Sequence, residues 1–255
     1  MNNEIREVLK YELICQDSYT EATKDIIVVV HNQLEYVRQC IESVQRHTKL
    51  YNLWIWDNRS SQETREYLES LDNVNLIVKD RNYGFIEPNN EIAKLCQSEY
   101  IILLNSDTIV SSGWDEALIG YLQSNIHTKL IGYMGGVLDE KGLGLGAAYG
   151  NLIDYVMGWC MCLSKQTYET FGLFNEELQF AYFEDSDLSL RIKSSHSIYA
   201  LHLRYVHHFG NITVRSLNAA DYQDTFNNNQ KIFASHWGKY LEVERVLAQK
   251  SNGLI

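Results

Sequence analysis

Proline is almost missing from this 255-residue chain: Pro88 stands alone, so its turns fall to Gly, Asn, Asp and Ser. Long apolar runs are missing too. None exceeds five residues, far short of the roughly 20 that cross a bilayer, and the charged first ten residues lack the apolar stretch of a secretory leader. A soluble, cytoplasmic protein without a transmembrane segment is expected. Positive charge is scarce, with 22 basic against 33 acidic residues and a formal net charge of -11. This excludes broad attraction to nucleic acid or anionic lipid and requires local cations wherever an anion binds. The five cysteines, Cys15, Cys40, Cys96, Cys160 and Cys162, are odd in number and show no C-x-x-C spacing, which excludes a disulfide framework and fits reduced thiols in a core. No G-x-G-x-x-G follows the first apolar run, and no phosphate-loop lysine is present, which removes dinucleotide-binding and P-loop classes.

What is present is ordinary globular composition, 45% hydrophobic and 22% charged, long enough for one α/β domain with appendages. Ile5, Val8, Leu9 and Leu13 recur at helical spacing and predict an N-terminal helix. The β-branched run at 26–30 reads as a strand buried on both faces. A helix follows through Leu34, Val37, Ile41 and Val44, then a strand at 53–56. Ser60 and Glu63 form a capping-box pattern before the next helix, residues 74–78 form a third strand, and Pro88 sits at a helix start. Residues 100–104 make a fourth strand. Four strand–helix alternations within roughly 80 residues predict right-handed crossovers and a mostly parallel sheet with helices on its faces. The ligand then lies outside the carboxyl ends of the strands, where His31, Asn32, Asp57, Asn58, Asn82 and residues 105–107 fall. Glycines at 135, 136, 142, 144, 146 and 150 predict either a mobile loop or a plain hairpin, and the last 40 residues one or two helices packed back on the domain.

Three constellations carry chemistry. Asn105-Ser106-Asp107 ends the fourth strand, where a carboxylate can hold a hard divalent cation bridging two phosphates, although the same residues also start ordinary turns. Glu184-Asp185-Ser186-Asp187 gathers three carboxylates beside aromatic residues, which raises at least one pKa toward a value suited to proton abstraction. The same acids suit a helix N-terminus capped by Asp185. His207-His208, after an expected strand at 198–206, points its two rings to opposite sides, so at most one joins Asp107.

In this order, these residues resemble the family 2 glycosyltransferases with a GT-A fold, from residue 25 to about 213. Residues 26–32 resemble the family's opening strand and its terminal Asn, with His31 and Asn32. Trp56-Asp57-Asn58-Arg59-Ser60 resembles V-D-N-x-S. Asn82, Gly84 and Asn90 stand in N-x-G-F-x-x-x-x-N, and Asn105, Ser106 and Asp107 in L-L-N-x-D-T, the family's D-x-D. Residues 158–163, with Trp159, and 171–176 resemble the acceptor-side core. Glu184-Asp185-Ser186-Asp187-Leu188 through Arg191 resembles E-D-x-D-L-x-x-R, and residues 208–213 the histidine region. Asn105 replaces the first acid of D-x-D, and Asn175 an acid of F-D-E.

The resemblance implies a nucleotide-sugar site of His31, Asn32, Asp57, Arg59, Asn82, Gly84, Asn90, Asn105, Ser106 and Trp159. Asp57 would read a uracil or thymine base. Asp107 with His207 or His208 would bind Mn²⁺ or Mg²⁺, Asp185 would be the base, and Glu184 would assist it. It further implies metal-dependent, inverting transfer of a sugar from a UDP- or dTDP-sugar donor to a glycan or other hydroxyl acceptor, in surface polysaccharide or glycan synthesis. The expected organisation is an N-terminal helical extension at 1–24, a GT-A catalytic domain at 25–215 and C-terminal helices at 216–255. The domain divides into a nucleotide half, 25–112, and an acceptor half, 113–215. A sugar nucleotidyltransferase is the alternative enzyme, although its glycine-rich phosphate loop is absent after the first strand; a silent carbohydrate-binding module would not require the acidic clusters.

Overall fold

The computed structural model of the chain describes residues 13–14, 23–210 and 219–251. Its first half runs β1 (Leu13–Ile14), β2 (Lys24–Val30), α1 (Leu34–His47), β3 (Tyr51–Asp57), α2 (Gln62–Glu69), β4 (Val74–Val78), α3 (Ile86–Leu95), β5 (Tyr100–Leu104) and β6 (Thr108–Val110). The second half continues with α4 (Trp114–Ser124), β7 (Thr128–Gly132), β8 (Gly135–Leu138), β9 (Gly144–Ala148), β10 (Tyr155–Val156), β11 (Cys160–Ser164) and α5 (Lys165–Phe171). It closes with α6 (Glu184–Lys193), β12 (Ser197–Ala200), β13 (Val206–His208) and α7 (Ala219–Ser251).

Eight strands form the central sheet in the order β1-β4-β3-β2-β5-β11-β7-β12. Four of its seven pairings are parallel, with β1 and β11 supplying the antiparallel ones, so the sheet is mostly parallel as the alternating pattern predicts. The period-2 geometry of a strand explains why whole runs are apolar. Ile26, Val28, Leu53, Ile55, Ile102 and Leu104 pack on one face with Val37, Cys40, Ile41 and Val44 of α1. Ile27, Trp54, Trp56, Ile101 and Leu103 pack on the other with Ile92 and Ala93 of α3. Each such fully buried aliphatic side chain contributes about 1.5–3 kcal/mol. Cys40, Cys96, Cys160 and Cys162 are free and buried in this core; Cys15 lies outside the described residues.

Several local expectations change. Leu13 belongs to a strand paired with β4 rather than a helix, and Ile5, Val8 and Leu9 lie outside the described residues. Ser61, not Ser60, precedes α2 and makes no side-chain cap: Ser60 Oγ accepts from the Asn32 N–H, and Ser61 Oγ lies 3.2 Å from Thr64 Oγ1. The glycine-rich segment is a hairpin, β8–β9, in a three-stranded sheet with β10. His207 and His208 sit inside β13, paired with β6, rather than after one long strand. Phe183 in a left-handed conformation precedes α6, so Asp185 is a first-turn residue and not its cap. Within its described residues the C-terminal segment is one helix. None of the described helices is long and apolar enough to cross a membrane.

Candidate active site

A cavity of about 980 Å³ opens at the carboxyl ends of β2, β3 and β5. His31, Asn58, Asn82, Gly84, Asn105, Ser106, Asp107, Trp159, Glu184, Asp185, His207 and His208 line it. Residues from His31 to His208, at opposite ends of the domain sequence, therefore meet around one space.

The strand-end wall is held by its own polar groups. His31 Nδ1 lies 2.8 Å from the Asn58 carbonyl. The Asn58 amide donates to the Gly84 carbonyl at 2.6 Å, and its oxygen accepts from Trp56 Nε1 and the Tyr83 N–H. Asn82 Oδ1 accepts from the Gly84 N–H at 2.8 Å. Gly84 has φ +80°, and a Cβ there would lie 2.4 Å from the Phe180 carbonyl oxygen, so only glycine permits this approach.

Four expected residues do not reach the cavity surface. Asp57 is fully buried, with Oδ1 accepting from the Ser60 N–H at 2.8 Å and Oδ2 from Arg65 Nε at 3.0 Å; its carboxylate shapes the turn, and Asn58 takes the wall position. Asn32 turns its Oδ1 to the Ser61 N–H at 2.7 Å. Arg59 is exposed on the turn at φ +59°. Asn90 is buried and spends its amide on the Phe174 backbone, at 2.9 Å in each direction. Backbone groups account for three of these placements: a local turn satisfies Asp57, and segments distant in sequence satisfy Asn32 and Asn90.

At the centre, Asp107 is buried and its Oδ1 lies 3.1 Å from His208 Nε2. The His208 ring stacks on Trp159, centroids 4.9 Å apart. His207 is exposed and packs edge-on against Phe209, so His208 is the histidine brought to Asp107. Asn105 Oδ1 is buried without a hydrogen-bond partner, which is unfavourable by about 1–3 kcal/mol unless a ligand satisfies it. A carboxylate oxygen, an imidazole nitrogen and an orphaned amide oxygen fit a divalent cation. Among the described residues no cluster of three or more His, Cys, Asp or Glu side chains could hold one by itself, so the remaining ligands must come from substrate and water.

On the opposite wall, Asp185 Oδ2 accepts from the Gly158 N–H at 2.9 Å, and Oδ1 from the Ser186 N–H at 2.7 Å. Burial pushes the Asp185 carboxyl up, and these hydrogen bonds oppose the shift. Glu184 is buried with Oε2 unpartnered; burial first, then the neighbouring Asp185 charge, hold its carboxyl well above the usual range. Asp187 forms the i, i+4 pair with Arg191 at 2.7 Å and also accepts from Trp237 Nε1 at 2.9 Å. Gly158 and Trp159 join the two walls. The Gly158 N–H holds Asp185, while the Trp159 carbonyl accepts from the Asn105 N–H at 2.9 Å and its indole carries His208.

Phe180, Ala181 and Tyr182 also line the cavity; the aromatic residues beside the acidic cluster were expected to limit its solvation, but their backbone conformation was not foreseen. Phe180, Tyr182 and Phe183 have φ of 62°, 81° and 68°, a conformation unfavourable by about 1–3 kcal/mol for each bulky residue. Trp237 and Asn229, which brace this wall from α7, were missed as well. An asparagine between the apolar positions Phe226 and Phe233 was the available signal.

Residues 25–133 match the sequence model of the family described as "Glycosyl transferase family 2". A protein of Haemophilus influenzae described as an "Uncharacterized glycosyltransferase" is 25% identical over 130 residues, 49% of this chain and 40% of that protein. The chain thus spans less than half the length of this curated relative. Among solved structures, GalNAc-T7 with UDP, GalNAc and Mn²⁺ superposes with a TM-score of 0.64 at 15% identity, over 75% of this chain and 44% of that one. S. aureus TarS 1–349 in complex with UDP-GlcNAc superposes with a TM-score of 0.59 at 17% identity, over 80% and 64%.

Proposed function

The chain carries a family 2 glycosyltransferase domain with a GT-A fold, and on that premise we propose that it moves a sugar from a UDP- or dTDP-sugar to an acceptor hydroxyl with inversion at the anomeric carbon. One observation carries the reading: the Gly158-Trp159 dipeptide places a hydrogen-bonded carboxylate, Asp185, across one cavity from Asp107 and His208. Structures of similar fold bound to UDP, UDP-GlcNAc and Mn²⁺ support the choice of donor and of a divalent ion.

The residues divide the work. Asp107 and His208, with Asn105 Oδ1 beside them, would hold Mn²⁺ or Mg²⁺, which when bound neutralises charge on a leaving diphosphate. His31 at the strand-end wall meets the same end of the donor. Asp185 accepts the proton of the acceptor hydroxyl as its oxygen bonds to the anomeric carbon and the diphosphate departs with the electron pair of the broken bond. The hydrogen bonds it accepts from the Gly158 N–H, the Ser186 N–H and the Ser186 hydroxyl fix the lone pair that takes the proton. Glu184, kept protonated to higher pH by burial, donates a hydrogen bond toward the acceptor instead of competing for the proton. No protein nucleophile takes part, so attack from the far face inverts the centre, unlike the two-step route of retaining glycosidases.

The test is release of UDP or dTDP from a panel of UDP-GlcNAc, UDP-GalNAc, UDP-glucose and dTDP-glucose, with and without hydroxyl acceptors. Release from at least one donor supports the reading. Binding of sugars with no release from any donor contradicts it.

A further inference from the structure

We infer that Asn229, on the C-terminal helix, is a positioning residue: its amide locks the loop at residues 179–183 in the backbone conformation that carries Glu184 and Asp185 to the cavity. The inference rests on the transferase reading for its consequence and on geometry for its substance.

Asn229 is fully buried in the middle of α7. Its Nδ2 donates to the carbonyls of Gln179 at 2.7 Å and Ala181 at 2.9 Å, with a longer contact to that of Tyr182 at 3.4 Å. Its Oδ1 accepts from the Gln179 N–H at 3.0 Å. Both ends of the amide thus serve one loop, so the buried polar group is satisfied only while that loop keeps its shape. Asparagine has no advantage inside a helix over alanine or leucine, which leaves the loop as its purpose.

That loop needs holding. Three bulky residues, Phe180, Tyr182 and Phe183, sit at positive φ, and such a conformation persists only where surroundings over-determine it. From α7, Phe226 packs on Tyr182 and Phe183 with centroids 5.1 Å apart in each case, and Phe233 packs on Phe183 at 5.3 Å. Phe226, Asn229 and Phe233 follow at spacings of three and four, one face of the helix. From the other side the Phe85 and Ile86 N–H groups donate to the Phe180 carbonyl at 2.6 and 3.2 Å. Phe183 then leads directly into α6, whose first two residues are Glu184 and Asp185. The helix therefore reaches Glu184 and Asp185 through the loop, and none of its described residues lines the cavity.

Two measurements on the full chain test this. Hydrogen exchange of the wild-type protein should show the Gln179 amide, which donates to Asn229 Oδ1, protected; exchange at the rate of an open surface loop overturns the proposal with no variant needed. In Asn229→Ala and in Asn229→Asp, which keeps volume but loses the donors, peptides covering 178–186 should exchange faster while those of β2 and β3 stay unchanged. In the same variants kcat for UDP release from UDP-GlcNAc, or the panel donor that the wild type turns over fastest, should fall about ten- to a hundred-fold with KM for that donor within about twofold. Wild-type kcat in both variants, or a raised KM at unchanged kcat, overturns it. If the wild type releases UDP from no donor, the transferase reading fails, while the exchange results still decide whether Asn229 holds the loop.

Discussion

Along the ends of β2 to β4 the polar side chains satisfy one another: Asp57 with Ser60 and Arg65, Asn58 with Trp56, Tyr83 and Gly84, Asn82 with Gly84. Across the cavity, Glu184 is buried with an unpartnered oxygen, on a segment entered through three bulky residues at positive φ. At β2 to β4 the strand-end wall is a preorganised surface whose polar groups are satisfied without a ligand. The carboxylate wall is kept desolvated and strained by packing from α7, the condition in which an acid or base is poised for proton transfer. On the proposed function, binding and chemistry fall on elements of different character, and a substitution on one wall should not mimic a substitution on the other.

The largest separation is expected for Asp185→Asn, which keeps the shape and removes the base. Turnover should fall about 10²- to 10⁴-fold, while calorimetric affinity for UDP stays within twofold. Next, Gly84→Ala sets a Cβ against the Phe180 carbonyl, where the contact would be 2.4 Å, and so joins the two walls. It should lower stability by roughly 1–3 kcal/mol, read as a drop in Tm, and reduce turnover and UDP affinity together, unlike Asp185→Asn.

Glu184 provides a pH test. Its folded carboxyl titrates above the ordinary glutamate value, so the folded state binds the proton more tightly than the unfolded chain. Protonated Glu184 is tolerated at low pH, and stability is lost as pH rises from the ordinary value through the folded one. Glu184→Gln should therefore raise Tm more at pH 8 than at pH 5. An equal gain at both values would show that Glu184 is not held in its acid form. The smallest effects belong to residues displaced from the cavity. Asn90→Ala should lower stability through the lost Phe174 bonds by about 1–3 kcal/mol, read as a drop in Tm, with the donor KM unchanged. Arg59→Ala should change neither.

Much of the fold was legible because buried strands are written as uninterrupted apolar runs: 74–78 and 100–104 emerge with the expected bounds. The candidate site was legible as a set of motifs, in that Asn105, Asp107, His208, Glu184 and Asp185 line one cavity. What stayed hidden follows from physics that one-dimensional patterns do not carry. Asp57 and Asn90 have the residue types of ligand contacts, yet backbone groups a few ångströms away satisfy them first. The left-handed run at 180–183 contains no glycine at those positions to announce it, since tertiary packing rather than propensity imposes it. His207 and His208 alternate along β13, and only burial in the fold separates them: His208 lies against Asp107 while His207 is exposed.

The account stands on a single displacement across the cavity, with Asp185 on the acceptor side and no covalent sugar–enzyme intermediate. Proton NMR of the first sugar product released from an α-linked donor tests this most directly. The account predicts the β anomer in the earliest spectra; an initial α product would contradict it.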